Sequence, residues 1–294
     1  MIDLHTHTTA SDGREAPAAL VARAAAAGVE ILSVTDHDTV AGCAEAATEA
    51  RTRGVQLVTG IEITAVLDAT DVHVLGYFFD SQCPALDEFL ATQRRWRLDR
   101  VRQIVARLAG LGVHLDADAV LAPGVVDATK AAGRPWIARA LLAAGHVESV
   151  TEAFDLWLGR GRPAFVPRVG VPPAEVFDRI HHAGGLASLA HPGLTRCDES
   201  IPGFVDAGLD AIEVYHSKHD PEATERYEDL ASRLGLAMTG GSDDHGDPSH
   251  SAAAVGTVSL PRLAFERLVA HVPRRPDGRR ATTRATASGS SHSS

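Results

Sequence analysis

The sequence predicts an α/β protein: a closed or nearly closed barrel of parallel strands with a small α-helical domain inserted into it. Three observations lead there. Short apolar strands alternate with Ala-rich helices over residues 1–92 and again over 167–273. Nearly every strand ends in a histidine or a carboxylate. Between 93 and 166 no convincing strand occurs. With 294 residues, 45% hydrophobic and 22% charged, the chain has ample length for a real core and a composition opposed to general disorder.

The elements follow in order. Residues 2–7 read as a strand, and 16–27 as a helix with Pro17 near its start and Gly28 past its end. Residues 29–35 form a β-branched strand, and 40–53 a helix stopped by Gly54. Residues 55–64 and 72–79 are further strands. One long helix covers 84–110, and apolar residues recur at helical spacing over 135–144 and 150–158. Alternation then resumes: helix 172–183 closed by Gly184 and Gly185, strand 186–190, strand 211–215, helix 221–234 closed by Gly235, strand 236–239, a last strand at 255–260 and helix 262–272. Repeated βα units imply a parallel sheet, and seven or so strands favour closure. The expected organisation is a discontinuous barrel (1–92 and 167–273), a helical cap (93–166) and a disordered, Ser-rich tail (274–294).

Composition excludes several classes. No run of 18 apolar residues occurs, so no membrane span is expected, and the first residues lack the pattern of a secretory signal. Cys43, Cys83 and Cys197 form neither a disulfide framework nor a CxxC zinc pattern, which fits the cytoplasm. The net charge of −10 argues against a stable duplex DNA partner. That charge is uneven. Residues 93–168 carry eleven Arg and one Lys against seven acids, the tail carries five Arg against one Asp, and the remainder carries 11 bases against 30 acids. A basic cap over an anionic substrate is the expectation.

The strand ends carry the chemistry. His5 and His7 close the first, Asp36, His37 and Asp38 the second, and Glu62 lies on the third. The fourth carries His73, a later one ends at His191, the next at His216, and the last of the group at Asp243 and His245. Catalytic groups of parallel barrels come from the C-terminal ends of different strands. In His5-x-His7 and Asp243-x-His245 the two-residue period puts both side chains on one face. Imidazole and carboxylate together suit divalent transition metals, and a carboxylate can bridge two. Asp12, just after the first strand, is placed to reach the same cavity. A lone HxH is usually an ordinary polar pair, Asp38 or Thr39 would serve as a helix cap, and His73 alone would be structural. Six histidines and three carboxylates at successive strand ends favour a common site.

The ordered motifs DLHTH (3–7), SDG (11–13), TDHDT (35–39), GIE (60–62), DVHVLGY (71–77), AHP (190–192) and GSDDH (241–245) resemble those of the polymerase-and-histidinol-phosphatase (PHP) superfamily. The resemblance covers residues 2–79 and 183–247 and implies a distorted (β/α)7 barrel with three divalent metal ions at its mouth. Carried over motif by motif, one ion would be held by His5, His7, Glu62 and Asp243, a second by Glu62, His73 and His191, and a third by Asp12, His37 and His245. Glu62 would bridge. Manganese, iron or zinc would suit a site made only of N and O donors.

The helical insertion, with GRPWIAR (133–139) and LGRGRPAFVP (158–167), resembles the stand-alone PHP phosphoesterases, which act on nucleoside 3′,5′-bisphosphates and in part trim RNA from the 5′ end. The resemblance therefore implies a hydrolase of phosphomonoesters on a small nucleotide or short RNA. Three residues depart from the subgroup: Trp136 where His is common, Arg162 where Lys is common, and Asp244 where an aromatic is common. None is a predicted ligand.

Divalent ions lower the pKa of a bound water, so hydroxide is the expected nucleophile and no protein nucleophile is needed. Arg134 and Arg162 are the candidate phosphate clamps, with Arg160 a further one, because a guanidinium forks onto two oxygens. Each would otherwise cap a helix or pair with the acidic barrel. His216 and His219 are candidates for contacting phosphate or protonating the leaving oxygen. Trp136 and Phe165 are candidate base-stacking residues that would otherwise pack, and His181 and His182 would complement a helix end. The competing expectations are a phosphatase of another small metabolite, such as histidinol phosphate, and a non-catalytic metal-binding barrel.

Overall fold

Seven strands hydrogen-bond in the order in which they occur along the chain: β1 (Ile2–Asp3), β2 (Ile31–Val34), β3 (Gln56–Leu67), β4 (Thr70–Tyr77), β5 (Leu186–Leu189), β6 (Ala211–His216) and β7 (Ala237–Gly241). The computed structural model describes residues 1–247 and 254–272, so the tail predicted over 274–294 lies outside the described residues. The sheet curls until its edges meet. Leu4 N donates to Gly240 O (3.1 Å), His7 N donates to Asp244 O (2.9 Å), and Thr6 bridges Asp244 in parallel. Gly241 is required at this seam: a Cβ there would lie 2.3 Å from the His5 nitrogen. The result is the distorted barrel that the sequence predicts.

One strand breaks the expected parallel order. β4 runs antiparallel to both β3 and β5. The cause is local: β3 and β4 are joined by only Asp68 and Ala69, both at positive φ (46° and 62°). A two-residue turn of that kind returns the chain antiparallel and has no room for a crossover helix. The strand predicted at 255–260 is absent; residues 254–260 form turns, bends and irregular chain. Its apolar pattern marks core residues instead. Val255 and Leu260 are buried, and Leu260 N donates to Ile2 O (2.9 Å) beside a β7 edge that β1 already occupies.

The helices are α1 (Pro17–Ala26), α2 (Cys43–Arg53), α3 (Pro84–Gly110), α4 (Ala117–Val126), α5 (Arg134–Ala143), α6 (Val150–Ala153, continued by a π-helical turn Phe154–Leu158), α7 (Pro173–His182), α8 (Pro192–Thr195), α9 (Ile201–Asp206), α10 (Pro221–Leu234) and α11 (Arg262–His271). Sequence periodicity misses α4, α8 and α9. Pro123 and Gly124 interrupt α4, α8 is a single turn after His191, and α9 contains Pro202 and Gly203. His181 and His182 lie in the last turn of α7, where the sequence places them to complement the helix end, and His181 in addition pairs with Asp210 (2.7 Å).

α3 belongs to two cores at once. Its first turns put Leu86, Phe89 and Leu90 against Ile63, Val74, Phe177 and Ile180 of the barrel. Its last turns put Val101, Ile104, Val105 and Leu108 against Ile137, Leu141, Val150 and Leu158, a separate apolar cluster among the inserted helices. Between these lies a buried polar stripe of Gln93, Arg94, Arg97 and Arg100, spaced at helical period. Arg97 pairs with Asp38 through Nε and donates from Nη2 to Thr64 Oγ1 (2.9 Å). Arg94 donates to Asp38 O (3.2 Å) and Ala128 O (3.0 Å), and Arg100 Nε donates to Val166 O (2.9 Å). This stripe fastens the inserted helices to the loops above the barrel.

Asp38 is fully buried, so removing its partner leaves an uncompensated charge. Arg97→Ala should cost about 3–5 kcal/mol of unfolding free energy, read from denaturant midpoints. Arg97→Lys, which keeps the charge but loses the fork, should cost less.

Candidate metal centre

Glu62, near the middle of β3, is 1% exposed and faces five imidazoles. Its Oε1 lies 2.8 Å from His73 Nδ1 and 3.2 Å from His191 Nε2. Its Oε2 lies 3.4 Å from His5 Nε2, 3.2 Å from His7 Nε2 and 3.1 Å from His37 Nδ1. The rings come from the ends of β1, β2 and β5 and from β4. The hairpin register explains the last: His73 pairs with Thr64, which shares a face with Glu62 two residues earlier.

Two further carboxylates complete the cluster. Asp243 Oδ1 approaches His5 Nε2 (3.5 Å), His7 Nε2 (3.3 Å) and His245 Nδ1 (3.6 Å). Asp12 lies 3.8 Å from His7 Nδ1, 3.7 Å from His37 Nε2 and 3.4 Å from His245 Nε2. Asp12 is aimed by its loop. Gly13 lets the chain pass where a Cβ would sit 2.5 Å from His7 O, and buried Asp36 accepts from Thr8 N (2.8 Å), Thr8 Oγ1 (2.6 Å) and Ser11 Oγ (2.7 Å). All nine residues singled out in the sequence are thus brought to one place.

The donor set fits divalent cations. Buried ring nitrogens of His5 (Nε2), His7 (Nδ1 and Nε2), His37 (Nδ1), His73 (Nδ1) and His191 (Nδ1) have no hydrogen-bond partner. Most face carboxylate oxygens closely but without the alignment of a hydrogen bond, as lone pairs converging on a shared cation would. Ligand atoms group within 4.8 Å as His7–Asp12–His37–His245, His5–Glu62–His191, His5–His7–Asp243 and His37–Glu62–His73.

The electrostatics agree. Burial alone would raise the Glu62 carboxyl pKa, but the imidazoles of His37, His73 and His5 hold it well below the usual range. Asp243 and Asp12 are held well below theirs in the same way, against burial, by His5 and His245 and by His245 and His37. Burial works against protonation of His5 and His7. The carboxylates outweigh it, carrying His5 well above its ordinary value and His7 to about 10. His37 goes the other way, its pKa pushed well down by burial. The protein alone therefore draws protons onto its rings to balance its carboxylates.

The cluster floors a cavity of about 230 Å³ whose other wall is cationic: Arg97, Arg134 and Arg168, with Phe154. Asp71 Oδ2 holds the guanidiniums of Arg168 (3.3 Å), Arg100 (3.5 Å) and Arg134 (3.7 Å). Those guanidiniums depress the Asp71 pKa against its burial, while burial and their mutual repulsion lower Arg168 to about 10 and Arg100 to about 9. Arg134 also lies over the Phe154 ring at 5.7 Å.

The other sequence candidates fall in different places. Arg134 lines the cavity; Arg160 and Arg162 do not. Both are exposed, and Arg160 donates to Thr70 Oγ1 at 2.7 Å. His216 is buried behind Asp243. His219 accepts from Gly193 N (3.3 Å), faces Val214 O (2.8 Å) and lines a separate, larger cavity of about 790 Å³ with Lys218 and Arg196. Trp136 is buried and donates to Ser11 O (3.0 Å), bracing the Asp12 loop, and Phe165 packs under Arg100. Asp244, where an aromatic is common, is buried and paired with Arg23, which also holds Glu15 (2.6 Å). Sequence reasoning misses Arg97 and Arg168 as cavity residues. The three-residue spacing of Arg94, Arg97 and Arg100 within one helix is the signal that could have found the first.

Comparison with known proteins agrees with this geometry. The PHP domain family model matches residues 3–143. Over 252 residues the chain is 36% identical to the 5′-3′ exoribonuclease Rnm of Escherichia coli (strain K12), covering 83% of this chain and 84% of that protein. Over 268 residues it is 34% identical to a 3′,5′-nucleoside bisphosphate phosphatase of Chromobacterium violaceum, covering 89% and 93%. A solved structure of a proposed metal-dependent phosphoesterase from Bifidobacterium adolescentis superposes with a TM-score of 0.83 at 33% identity, covering 94% of this chain and 98% of that one. Among the described residues no helix is long and apolar enough to cross a membrane.

Ligating imidazoles must be neutral, so rings held protonated give up protons when a cation binds. With His5 well above its usual pKa and His7 at about 10, both are protonated at pH 7. Titrating the metal-stripped chain with Mn2+ in weak buffer should therefore release protons, and affinity should climb as pH rises from 6 to 9. Calorimetry in buffers of different ionisation enthalpy checks both.

Proposed function

The chain belongs to the PHP domain family, and on that footing we propose that it is a metal-dependent hydrolase of nucleotide phosphoesters. Its proposed substrates are nucleoside 3′,5′-bisphosphates or mononucleotides, with 5′-3′ trimming of short RNA by the same site. The observation that carries this is the facing of two opposite walls across one small cavity: four imidazoles (His37, His73, His191, His245) and three carboxylates on one side, with His5 and His7 buried behind them, and guanidiniums on the other. A phosphate monoester needs both, a cation-binding floor for the reacting group and positive charge for its remaining oxygens. The relatives support the substrate class: one is a 3′,5′-nucleoside bisphosphate phosphatase and another a 5′-3′ exoribonuclease.

In this proposal His5, His7, Glu62 and Asp243 hold one ion, Glu62, His73 and His191 a second, and Asp12, His37 and His245 a third, with manganese, iron or zinc as the metal. Bound there, divalent ions supply water activation at neutral pH and neutralise phosphate charge. The chain's own residues do the rest. Arg134 and Arg168 bind and orient phosphate oxygens, and their forks give geometric as well as electrostatic selection. Asp71 keeps those guanidiniums pointed into the cavity when no anion is there. Phe154 closes one side against water. His216, buried behind Asp243, is not the proton donor to the leaving oxygen in this scheme. The inserted helices of 93–166 act as a cap that delivers Arg97 and Arg134.

The test is phosphate release by the full chain with Mn2+ from adenosine 3′,5′-bisphosphate, mononucleotides, 5′-phosphorylated short RNA and histidinol phosphate. Release from nucleotides with the highest kcat/KM is expected; none from any nucleotide overturns the proposal. Arg134→Ala should lower kcat/KM by about 10- to 150-fold, the loss of a charged hydrogen bond worth about 1.5–3 kcal/mol.

A further inference from the structure

Two buried residues of β6 lie directly beneath the metal cluster and belong to none of its three proposed ligand sets. Glu213 is fully buried. Its Oε1 lies 2.9 Å from His5 Nδ1, and its Oε2 accepts from His191 N at 2.7 Å. His216 is also buried; its Nδ1 accepts from Lys218 N at 3.2 Å, and its Nε2 lies 3.4 Å from Asp243 Oδ2. Residues three apart on a regular strand face opposite sides of the sheet. Here the β6–β7 register shifts between Glu213 and Tyr215, and that irregularity turns both side chains to the cluster. His5, Glu213 and His216 bring ligand-type atoms within 4.8 Å of one another.

We propose that Glu213 and His216 are positioning residues, a buried shelf that fixes the tautomer of His5, the backbone of His191 and the aim of Asp243. The proposal rests on the reading of those three residues as metal ligands. A carboxylate only accepts, so Glu213 keeps the proton of neutral His5 on Nδ1 and leaves the Nε2 lone pair facing Glu62 and Asp243. The second oxygen of Glu213 pins the amide of His191, which sits at φ 27° and ψ 60°, a conformation costly for any residue but glycine. In His216 the Lys218 amide occupies Nδ1, so the neutral ring carries its proton on Nε2, the nitrogen facing Asp243. One strand end thereby aligns ligands from three others, those of β1, β5 and β7.

Glu213→Gln separates position from bulk. Its amide oxygen can still accept from His191 N, which turns the NH2 group toward His5 Nδ1. His5 must then accept there and carry its proton on Nε2, the wrong nitrogen. Calorimetric titration of the metal-stripped full chain with Mn2+ should show affinity lowered by about 10- to 100-fold, with the metal-free Tm little changed. Long-range 1H–15N spectra of the metal-free protein, recorded above the pH at which His5 loses its second proton, should show the switched His5 tautomer, a signature that a merely structural role would not move. Glu213→Asp should recover part of the affinity. His216→Asn, which keeps an amide oxygen for Lys218 N but removes the group facing Asp243, should weaken Mn2+ several-fold; if the Glu213 variant does not fold, this variant decides. Wild-type Mn2+ affinity in every folded variant overturns the proposal. Should the wild-type chain bind Mn2+ yet hydrolyse no nucleotide phosphate, the functional reading fails while these affinity differences still stand.

Discussion

The carboxylate of Glu62, buried among five imidazole nitrogens, is the constraint on which the rest of the molecule depends. An unpaired carboxylate in the interior costs several kcal/mol. At about 3 Å and an effective dielectric near 20, a unit opposite charge returns about 5 kcal/mol. The balance closes only while positive charge, as protons or as metal ions, sits between the rings and Glu62. Those rings come from four strands, so the balance also demands that the strands stay in place. The seam between β1 and β7 serves that end. Asp243 N donates to His5 O (2.8 Å), tying one ligand's backbone to another's. The antiparallel turn of β4 serves it too, because the hairpin sets His73 beside Glu62.

The same logic extends upward into the inserted helices. Asp38, which follows His37, is fully buried and is satisfied by Arg97 of α3. Asp71, two residues before His73, gathers Arg100, Arg134 and Arg168. Each acid therefore neighbours a cluster imidazole in sequence and holds an arginine in space. A chain with a net charge of −10 can accordingly present a cationic wall to an anion, because the acids that outnumber the bases lie elsewhere or are already paired.

Most of this was legible in the sequence because it was local. Two-residue spacing in His5-x-His7 and Asp243-x-His245, ligand-type residues at successive strand ends, and proline and glycine at helix boundaries all express short-range geometry. The long α3 and α10 fall where the periodicity puts them, α3 at Pro84–Gly110 and α10 at Pro221–Leu234. What was illegible depends on tertiary placement. Nothing in the composition of β4 states its direction; the two-residue turn at Asp68 and Ala69 does, and in the sequence it is only a gap between two strands. Val255 and Leu260 look like strand residues because burial alone makes a residue apolar. Arg160 and Arg162 sit in a motif-like run yet do not line the cavity, while Arg97 and Arg168 reach it from a helix and a loop with no motif around them. His216 reads in the sequence as a phosphate contact or proton donor at a strand end, and the irregularity in β6 turns it toward Asp243 instead.

Backbone strain recurs where the chemistry is. Of the six described residues with side chains beyond Cβ that adopt positive φ, three, Asp38, His191 and Asp243, lie at the cluster or beside it, and Asp68, Phe78 and Arg196 do not. Conformations of this kind cost of order 1–3 kcal/mol each and persist only where the surroundings over-determine them. Each of the three has such surroundings: Arg97 and the Thr64 amide on the Asp38 carboxylate, Glu213 on the His191 amide, and the His5 carbonyl on the Asp243 amide. A relaxed backbone at these points would turn Asp243 and His191 out of the cavity and leave Glu62 with fewer rings. The barrel core, with Ile61, Ile63, Val72 and Val74 fully buried, opposes that relaxation by tens of square ångströms of apolar surface per residue. Packing energy drawn from hydrophobic residues on the opposite face of the same strands is thus what keeps three unfavourable backbone turns, and with them the ligand geometry, in being.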